Sequence, residues 1–446
     1  MQAVTNSNLH DLGDTSFIVF STIKVLVVFL VLLVVVALLT LLERKISAWM
    51  QDRLGPNRVG WQGLGQPAAD GLKNILKEET HPTESNRVFF TLAPMLSIIP
   101  AMVTFAVIPF AAPLPTRWGV VPMVVADLPI GVLFLLAFSS LGVYGIVIAG
   151  WASYNKYALL GGLRAGAQMI SYEIALGLSL MSVFFVTGNV SLSQMVWQQQ
   201  EMHVPFGISL AVSFFFFFIS SFAETNRLPF DLPEAESELV TGYHTEYSSM
   251  KFSMFFIAEY SHVLTVSALM ATIFWGGWDI PLLQSDNMYG MANGHWVGHA
   301  PSVLITIATL LMFLAKTFIF ILIFMLVRWT VPRFRYDQVM DLGWKIMLPA
   351  ALVAVVATAA TVLALDSYGI EPAGLYGPKL GGHAWLPVYG LTLTVVNVAM
   401  LAIVLWIMDR GRTLVGTGSL DEKRERAREL ARARAARHQL ATGRNV

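Results

Sequence analysis

Nine stretches of the chain are apolar over the length of a bilayer crossing: residues 17–42, 88–110, 127–149, 164–186, 206–223, 253–275, 301–328, 345–365 and 385–408. A spanning helix needs about 20 such residues, because hydrocarbon satisfies no backbone N–H or C=O and the helix must pair its own. The spacing therefore predicts an all-α integral membrane protein. Charged residues make up 13% of the chain, against about 25% in an ordinary soluble domain. The second stretch carries Pro94, Pro100 and Pro109 and is expected to kink rather than break. The first follows a polar, slightly acidic start and runs for 26 residues. A signal peptide would be basic at its start and shorter in its apolar core, so this segment reads as a retained helix.

Orientation follows from the basic residues. With the N-terminus outside, the cytoplasmic connections hold 25 of the 29 Lys and Arg residues. The expectation is N-out and C-in, in the plasma membrane of a bacterial cell. All twelve tryptophans lie in loops or near segment ends, among them Trp49, Trp151, Trp275, Trp329, Trp344 and Trp406. Amphipathic rings favour the headgroup level, which supports the boundaries.

The absent residues narrow the chemistry. There is no cysteine, hence no thiolate-held iron–sulfur cluster, thiolate nucleophile or disulfide from this chain. Of nine histidines only His262 lies in an apolar stretch, so a bis-histidine haem between helices is not available. No phosphate loop or dinucleotide-binding glycine motif is present. No metal site and no nucleic-acid partner is expected, and redox or energy input must come from other subunits.

Six carboxylates crowd the connection Ala223–Tyr247: Glu224, Asp231, Glu234, Glu236, Glu238 and Glu246, against the single base Arg227. Carboxylates beside hydrocarbon are costly to desolvate and raise one another's proton affinity. Asp231-Leu-Pro-Glu234 has the form of a helix start, so capping explains those two. It leaves Glu224, Glu236, Glu238 and Glu246 unexplained. Glu234 and Glu238 share a helical face, where like charges invite a shared proton.

Three further carboxylates and one amine fall at membrane depth, with one histidine beside them. Glu173 lies nine residues past Arg164, roughly 14 Å along a helix. Lys316 sits near the middle of the seventh stretch, and both point to an ion path rather than a structural pair. Glu259 opens the sequence AEYSH in the sixth stretch. His262 follows one turn on, on the same face, and supports a structural or a functional reading equally. Asp127 opens the third stretch, where an N-cap is as good an explanation as a functional role.

The connection 43–87 begins LERKISAWMQDRLGPNRVG and contains Leu72, Ile75 and Leu76 on one face of a short amphipathic helix, with Asp70, Lys73 and Lys77 elsewhere on it. Such a helix can lie on the membrane surface. It can equally line an entrance where Arg44 and Arg53 orient a polar headgroup arriving from lipid.

These segments carry a family resemblance. LERKISAWMQDRLGPNRVG, GWASYNKYALLGGLRAGAQMISYEIALG, AETNRLPFDLPEAESELVTGYHTEYSSMKFSMFFIAEY and RFRYDQVMDLGWKIMLP resemble, in order and spacing, the quinone-pocket membrane subunit of respiratory complex I, over residues 17 to 365. The resemblance implies eight family transmembrane helices, the second to sixth arranged like half of an antiporter-type subunit, with a ninth C-terminal helix added here. It implies a quinone tunnel, entered from lipid and closed by the peripheral arm, with ubiquinone or menaquinone as substrate and no cofactor held permanently. Arg44, Arg53, Asp70, Lys73, Arg227, Asp231, Arg333 and Arg335 match the pocket and its entrance. Glu173, Glu224, Glu234, Glu236, Glu238, Glu246, Glu259 and Asp127 match the acidic path towards the membrane arm. The implied partners are the iron–sulfur subunit carrying the terminal cluster, the peripheral quinone-site subunit, small membrane subunits and lipid.

Residues 1–365 thus form the family-like unit. Residues 366–446 are an extension with the apolar stretch 385–408 and a basic cytoplasmic tail, helical from Asp421 onward. Two rivals stand beside this reading. One is the membrane anchor of a membrane-bound hydrogenase, which resembles the same subunit. The other is a stand-alone cation/proton antiporter, which commonly shows inverted repeats and broken helices; neither is visible here.

Overall fold

The computed structural model describes residues 14–202, 205–233, 240–281, 288–292, 295–298, 302–368 and 388–410. Among these residues the chain is built almost wholly of helices, and eight are long and apolar enough to cross a membrane. They are α1 (Asp14–Trp49), α3 (Arg87–Val103, continued by a 3-10 turn to Val107), α4 (Gly131–Ala152), α5 (Lys156–Thr187), α9 (Ser249–Phe274), α10 (Val303–Thr330), the run formed by α11 (Tyr336–Asp341), a π turn (Leu342–Met347) and α12 (Leu348–Ser367), and α13 (Val388–Arg410). Short helices α2 (Gln66–Leu76) and α6 (Leu192–Met202) lie in connections.

The fifth apolar stretch differs from a simple span. It divides into α7 (Phe206–Ser209) and α8 (Ala211–Glu224), with Leu210 non-helical between them at φ −118°, ψ 48°. Fourteen residues rise only about 21 Å, short of a bilayer core. This helix is stabilised by enclosure instead: Phe216, Phe217, Phe222 and Ala223 are buried in the main core. The second stretch continues as helix through Pro94 and Pro100 and ends before Pro109.

The most enclosed element is α9, with 72% of its apolar window buried, against 22% for α1 and for α13 at the periphery. Against α9 pack α1, α2, α3, α6, α7, α8 and α10. Two glycines set how closely the helices approach. A Cβ at Gly145 of α4 would fall 2.2 Å from Ser97 Oγ and 2.9 Å from the Ala93 carbonyl of α3. One at Gly161 of α5 would fall 2.8 Å from the backbone of Gly242 in the acidic connection. Small residues let backbones touch where lipid supplies no hydrophobic drive between helices.

Helix α5 begins eight residues before its apolar stretch. Asn155 caps it by accepting from the Tyr157 N–H at 2.9 Å, and Gly188 ends it at φ 62°. Such a side-chain cap satisfies an N–H that the helix leaves open. Short antiparallel ribbons close two connections: β1 (Leu114–Thr116) with β2 (Gly119–Val121), and β3 (Met288–Ala292) with β4 (His295–Gly298). Helix α13 seats against α7, α8 and α12, with Leu393 and Asn397 fully enclosed. The tail from Asp421 lies outside the described residues.

Candidate functional site

Arg227 occupies the centre of the charged residues although it is only 7% exposed. Its Nη1 donates to Glu43 Oε1 at 3.0 Å and Oε2 at 2.8 Å, and its Nε stands 2.5 Å from Glu259 Oε1. Its guanidinium carbon lies 4.3 Å from the ring centroid of Tyr260. Arg328, from the last turn of α10, also pairs with Glu43. Two guanidinium groups and two carboxylates thus neutralise one another where a lone charge would be prohibitive. Burial works against the charge of Arg227, yet Glu259 and Glu43 hold the guanidinium above its ordinary value. Its Nη2 has no hydrogen-bond partner among the described residues.

The backbone that delivers Arg227 is clamped. After α8, Asn226 adopts φ +51° and the chain turns, with the Arg227 N–H donating to the Phe222 carbonyl at 3.3 Å. Gln168 of α5 donates from Nε2 to the carbonyls of Ala223 and Phe230, each at 2.8 Å. Tyr172, one turn further along α5, packs edge-on to Phe230 and donates to the Val339 carbonyl at 3.0 Å. Helix α5 and α11 therefore fix the loop from two sides.

From this cluster a polar row runs into the helix bundle. A cavity of about 30 Å³ is lined by Glu259, Glu224, Tyr243, Asn226 and His262. A second, of about 10 Å³, is lined by Glu224, His262, Ser139 and Thr104 among apolar walls. Volumes of this order hold single water molecules. The Ser139 hydroxyl reaches the Glu224 carboxyl, and Glu173 is near enough to act on it electrostatically. Ser140, beside Ser139 on α4, donates to Glu173 of α5. Glu43, Arg227, Glu259, Glu224 and Glu173 are thereby strung together through side chains and water-sized spaces.

Nearer the start of α11, Arg333 donates to Asp231 at 2.9 Å. Burial pushes the Asp231 carboxyl above the ordinary aspartate range, although Arg333, Arg328 and Arg227 pull the other way. On the exposed surface beside the end of α1, Arg44 pairs with Asp70 of α2 at 2.6 Å, and Gln66 donates to the same carboxylate at 2.9 Å. Arg53 donates to Gln51 at 2.7 Å. Lys73 and Arg335 are exposed, and the Arg335 backbone N–H donates to Gln338 at the start of α11. Glu246 accepts from Asn155 at 2.7 Å, at the same end of α5.

Lys316 and Asp127 are not brought to the row. The Lys316 ammonium donates to the carbonyls of Trp275 and Asp279 at 2.7 and 2.6 Å, just beyond the C-terminus of α9. Asp127 precedes α4 without capping it and accepts from Ser193 at 3.0 Å. Glu234, Glu236 and Glu238 lie outside the described residues. Sequence reasoning missed Glu43, Arg328, Tyr260 and the clamp Gln168. Glu43 follows the first apolar run directly and could have been found as an ionisable group at a span end.

Comparison with known sequences adds an independent observation. A model of the NADH dehydrogenase family matches residues 23–359. One subunit of the NADH-quinone oxidoreductase of Cytophaga hutchinsonii is 45% identical over 352 residues, covering 78% of this chain and 98% of that protein. For the like-named subunit of Geobacter metallireducens the corresponding values are 45%, 77% and 95%. The like-named subunit of Protochlamydia amoebophila is 47% identical, over 72% of this chain and 91% of its own length.

Proposed function

The chain belongs to the NADH dehydrogenase family, and from that premise we propose that it forms much of a quinone tunnel and couples quinone reduction to proton translocation. It is a multi-pass membrane subunit of the complex I type. In this reading quinone is the substrate, and electrons reach it from an iron–sulfur cluster in a neighbouring subunit. A peripheral quinone-site subunit closes the tunnel, small membrane subunits receive the coupling, and lipid supplies quinone past α1 and α2. The N-terminus faces out and the C-terminus in, across a bacterial plasma membrane.

One observation carries the proposal: the buried row Glu43–Arg227–Glu259 continues through two cavities to Glu224, and Glu173, held by Ser140, stands close enough to act on Glu224 electrostatically. Purely structural ion pairing accounts for Glu43, Arg227 and Arg328. It gives no reason for Glu224 and Glu173 to stand beyond them with no cation paired to either among the described residues. Quinone reduction takes up protons and changes the charge at the head of the row. One pKa unit corresponds to about 1.4 kcal/mol, so modest rearrangement of Arg227 between its two carboxylates redistributes protons along the acids. No covalent step is required of this chain. Arg44, Arg53, Asp70 and Lys73 stand at the exposed entrance; Asp231 and Arg333 stand deeper, with Arg335 on the rim. Residues 1–365 are the coupling unit, and 366–446 an extension beyond the family match. The relatives' names support an NADH-oxidising partner module over the nickel–iron one of a hydrogenase.

The test uses Glu173→Gln in the whole complex, in inverted vesicles. Proton pumping driven by NADH should collapse while the complex assembles normally. Undiminished pumping removes Glu173 from the path.

A further inference from the structure

We propose that His262 relays protons between the two halves of the acidic row, an inference that rests on the proton-path reading above. His262 stands on α9 three residues past Glu259, on the same face of the helix. It lines both cavities, and among the described residues Glu224 is the one other side chain the two cavities share. Its Nε2 lies beside Gly142 of α4, where the absent side chain leaves the ring room: a Cβ there would sit 3.5 Å away.

The groups around the ring are few. From α9 itself comes Glu259, from α8 Glu224, and from the acidic connection Tyr243. Helix α3 and its 3-10 continuation offer the hydroxyls of Ser97 and Thr104, and α4 that of Ser139; α5 contributes only Met169 and Leu176. Among the described residues no Lys or Arg lines either cavity. A proton leaving Glu259 therefore meets one group able to accept it at one atom and release it from another before Glu224.

A neutral imidazole carries one N–H donor and one bare acceptor nitrogen. The bare nitrogen takes a proton from the protonated Glu259 carboxyl, through water in the larger cavity. The opposite N–H gives its proton to ionised Glu224. Glu259 ends one proton poorer, Glu224 one richer, and the imidazole neutral in its other tautomer. Rotation of the ring restores the first form. Serine and threonine hydroxyls can pass a proton along, but cannot hold the intervening positive charge.

The experiment is made on the whole complex in inverted vesicles with His262→Gln and His262→Asn, beside Glu224→Gln as the control for the row. NADH oxidation by a hydrophilic acceptor should be unchanged. Quinone reduction and proton pumping should fall about tenfold in both His262 variants, with a larger solvent deuterium isotope effect on turnover because proton delivery has become limiting. Wild-type turnover and isotope effect in the His262 variants, with Glu224→Gln impaired, overturn the relay alone. Silence in Glu224→Gln as well overturns the acidic row. Slower turnover with an unchanged isotope effect, or failure of both His262 variants to assemble, assigns the ring a packing role and overturns the relay.

Discussion

Arg227 Nη1 meets both carboxylate oxygens of Glu43, at 3.0 and 2.8 Å, although the two residues are 184 positions apart in the chain. The pair joins the end of α1 to the turn after α8, and Arg328 and Glu259 complete it from α10 and α9. Three helices and the turn after α8 therefore share one charge-neutral knot at the head of the acidic row.

Removing Glu43 leaves the buried Arg227 guanidinium with Glu259 alone, and takes its partner from the half-buried Arg328. Breaking a buried pair of this kind costs about 3–5 kcal/mol. Glu43→Ala should lower the thermal transition of the purified complex and its level in membranes, and Glu43→Gln, which keeps acceptor and shape, should do so less. An unchanged transition in Glu43→Ala removes the knot from the list of structural determinants.

The Arg44–Asp70 pair sits at the other extreme, with side chains 53% and 33% exposed. Exposed pairs contribute about 0.2–1 kcal/mol. Asp70→Asn should leave assembly intact and raise the KM for quinone several-fold, measured as NADH:quinone reductase activity across quinone concentrations. A stability loss with an unchanged KM contradicts a role at the entrance.

His244 reports on acid sensitivity. Burial among Tyr243, Phe252 and Phe256 lowers its pKa to about 4 from an ordinary 6.5. The unfolded state binds the proton first as pH falls. Stability is therefore fully present above about pH 6.5 and declines between about 6.5 and 4, by an amount on the order of 3 kcal/mol. Thermal transitions measured at pH 7.5 and 5 should converge partly in His244→Phe. An identical pH dependence in the variant shows that other groups govern it.

Gly145→Ala should separate α3 from α4, because the new methyl overlaps Ser97 and the Ala93 carbonyl. Overpacking of this kind costs about 1–3 kcal/mol, and relaxation would pull Ser139 and Ser140 away from Glu224 and Glu173. Reduced assembly and reduced pumping together are expected, read from membrane levels of the complex and vesicle acidification. Normal values for both refute the close helix approach.

Much of this architecture was legible in the chain because membrane spans announce themselves by length alone. Eight of the nine apolar stretches match helices long enough to span, while the fifth, expected as a single span, divides into α7 and α8 at Leu210. The acids were equally visible, since any carboxylate beside hydrocarbon stands out. Their partners were not. Whether Arg227 faces Glu43 or Asp231 depends on how α1 and α10 pack, and no local pattern encodes that. Lys316 shows the same dependence on packing: no local pattern indicates that a lysine near the middle of an apolar run donates to the carbonyls of Trp275 and Asp279 beyond the end of α9. The clamp Gln168 was hidden for another reason, because an amide within an amphipathic stretch carries no charge signal.

The central claim is that quinone reduction changes protonation along the row. Reduction-induced infrared difference spectra of the complex, wild type against Glu224→Gln, read this directly in the carboxyl stretching region. The expected result is a carboxyl band that appears or shifts on quinone reduction in the wild type and is missing in the variant. Identical difference spectra, from variants that reduce quinone at the wild-type rate, contradict the account.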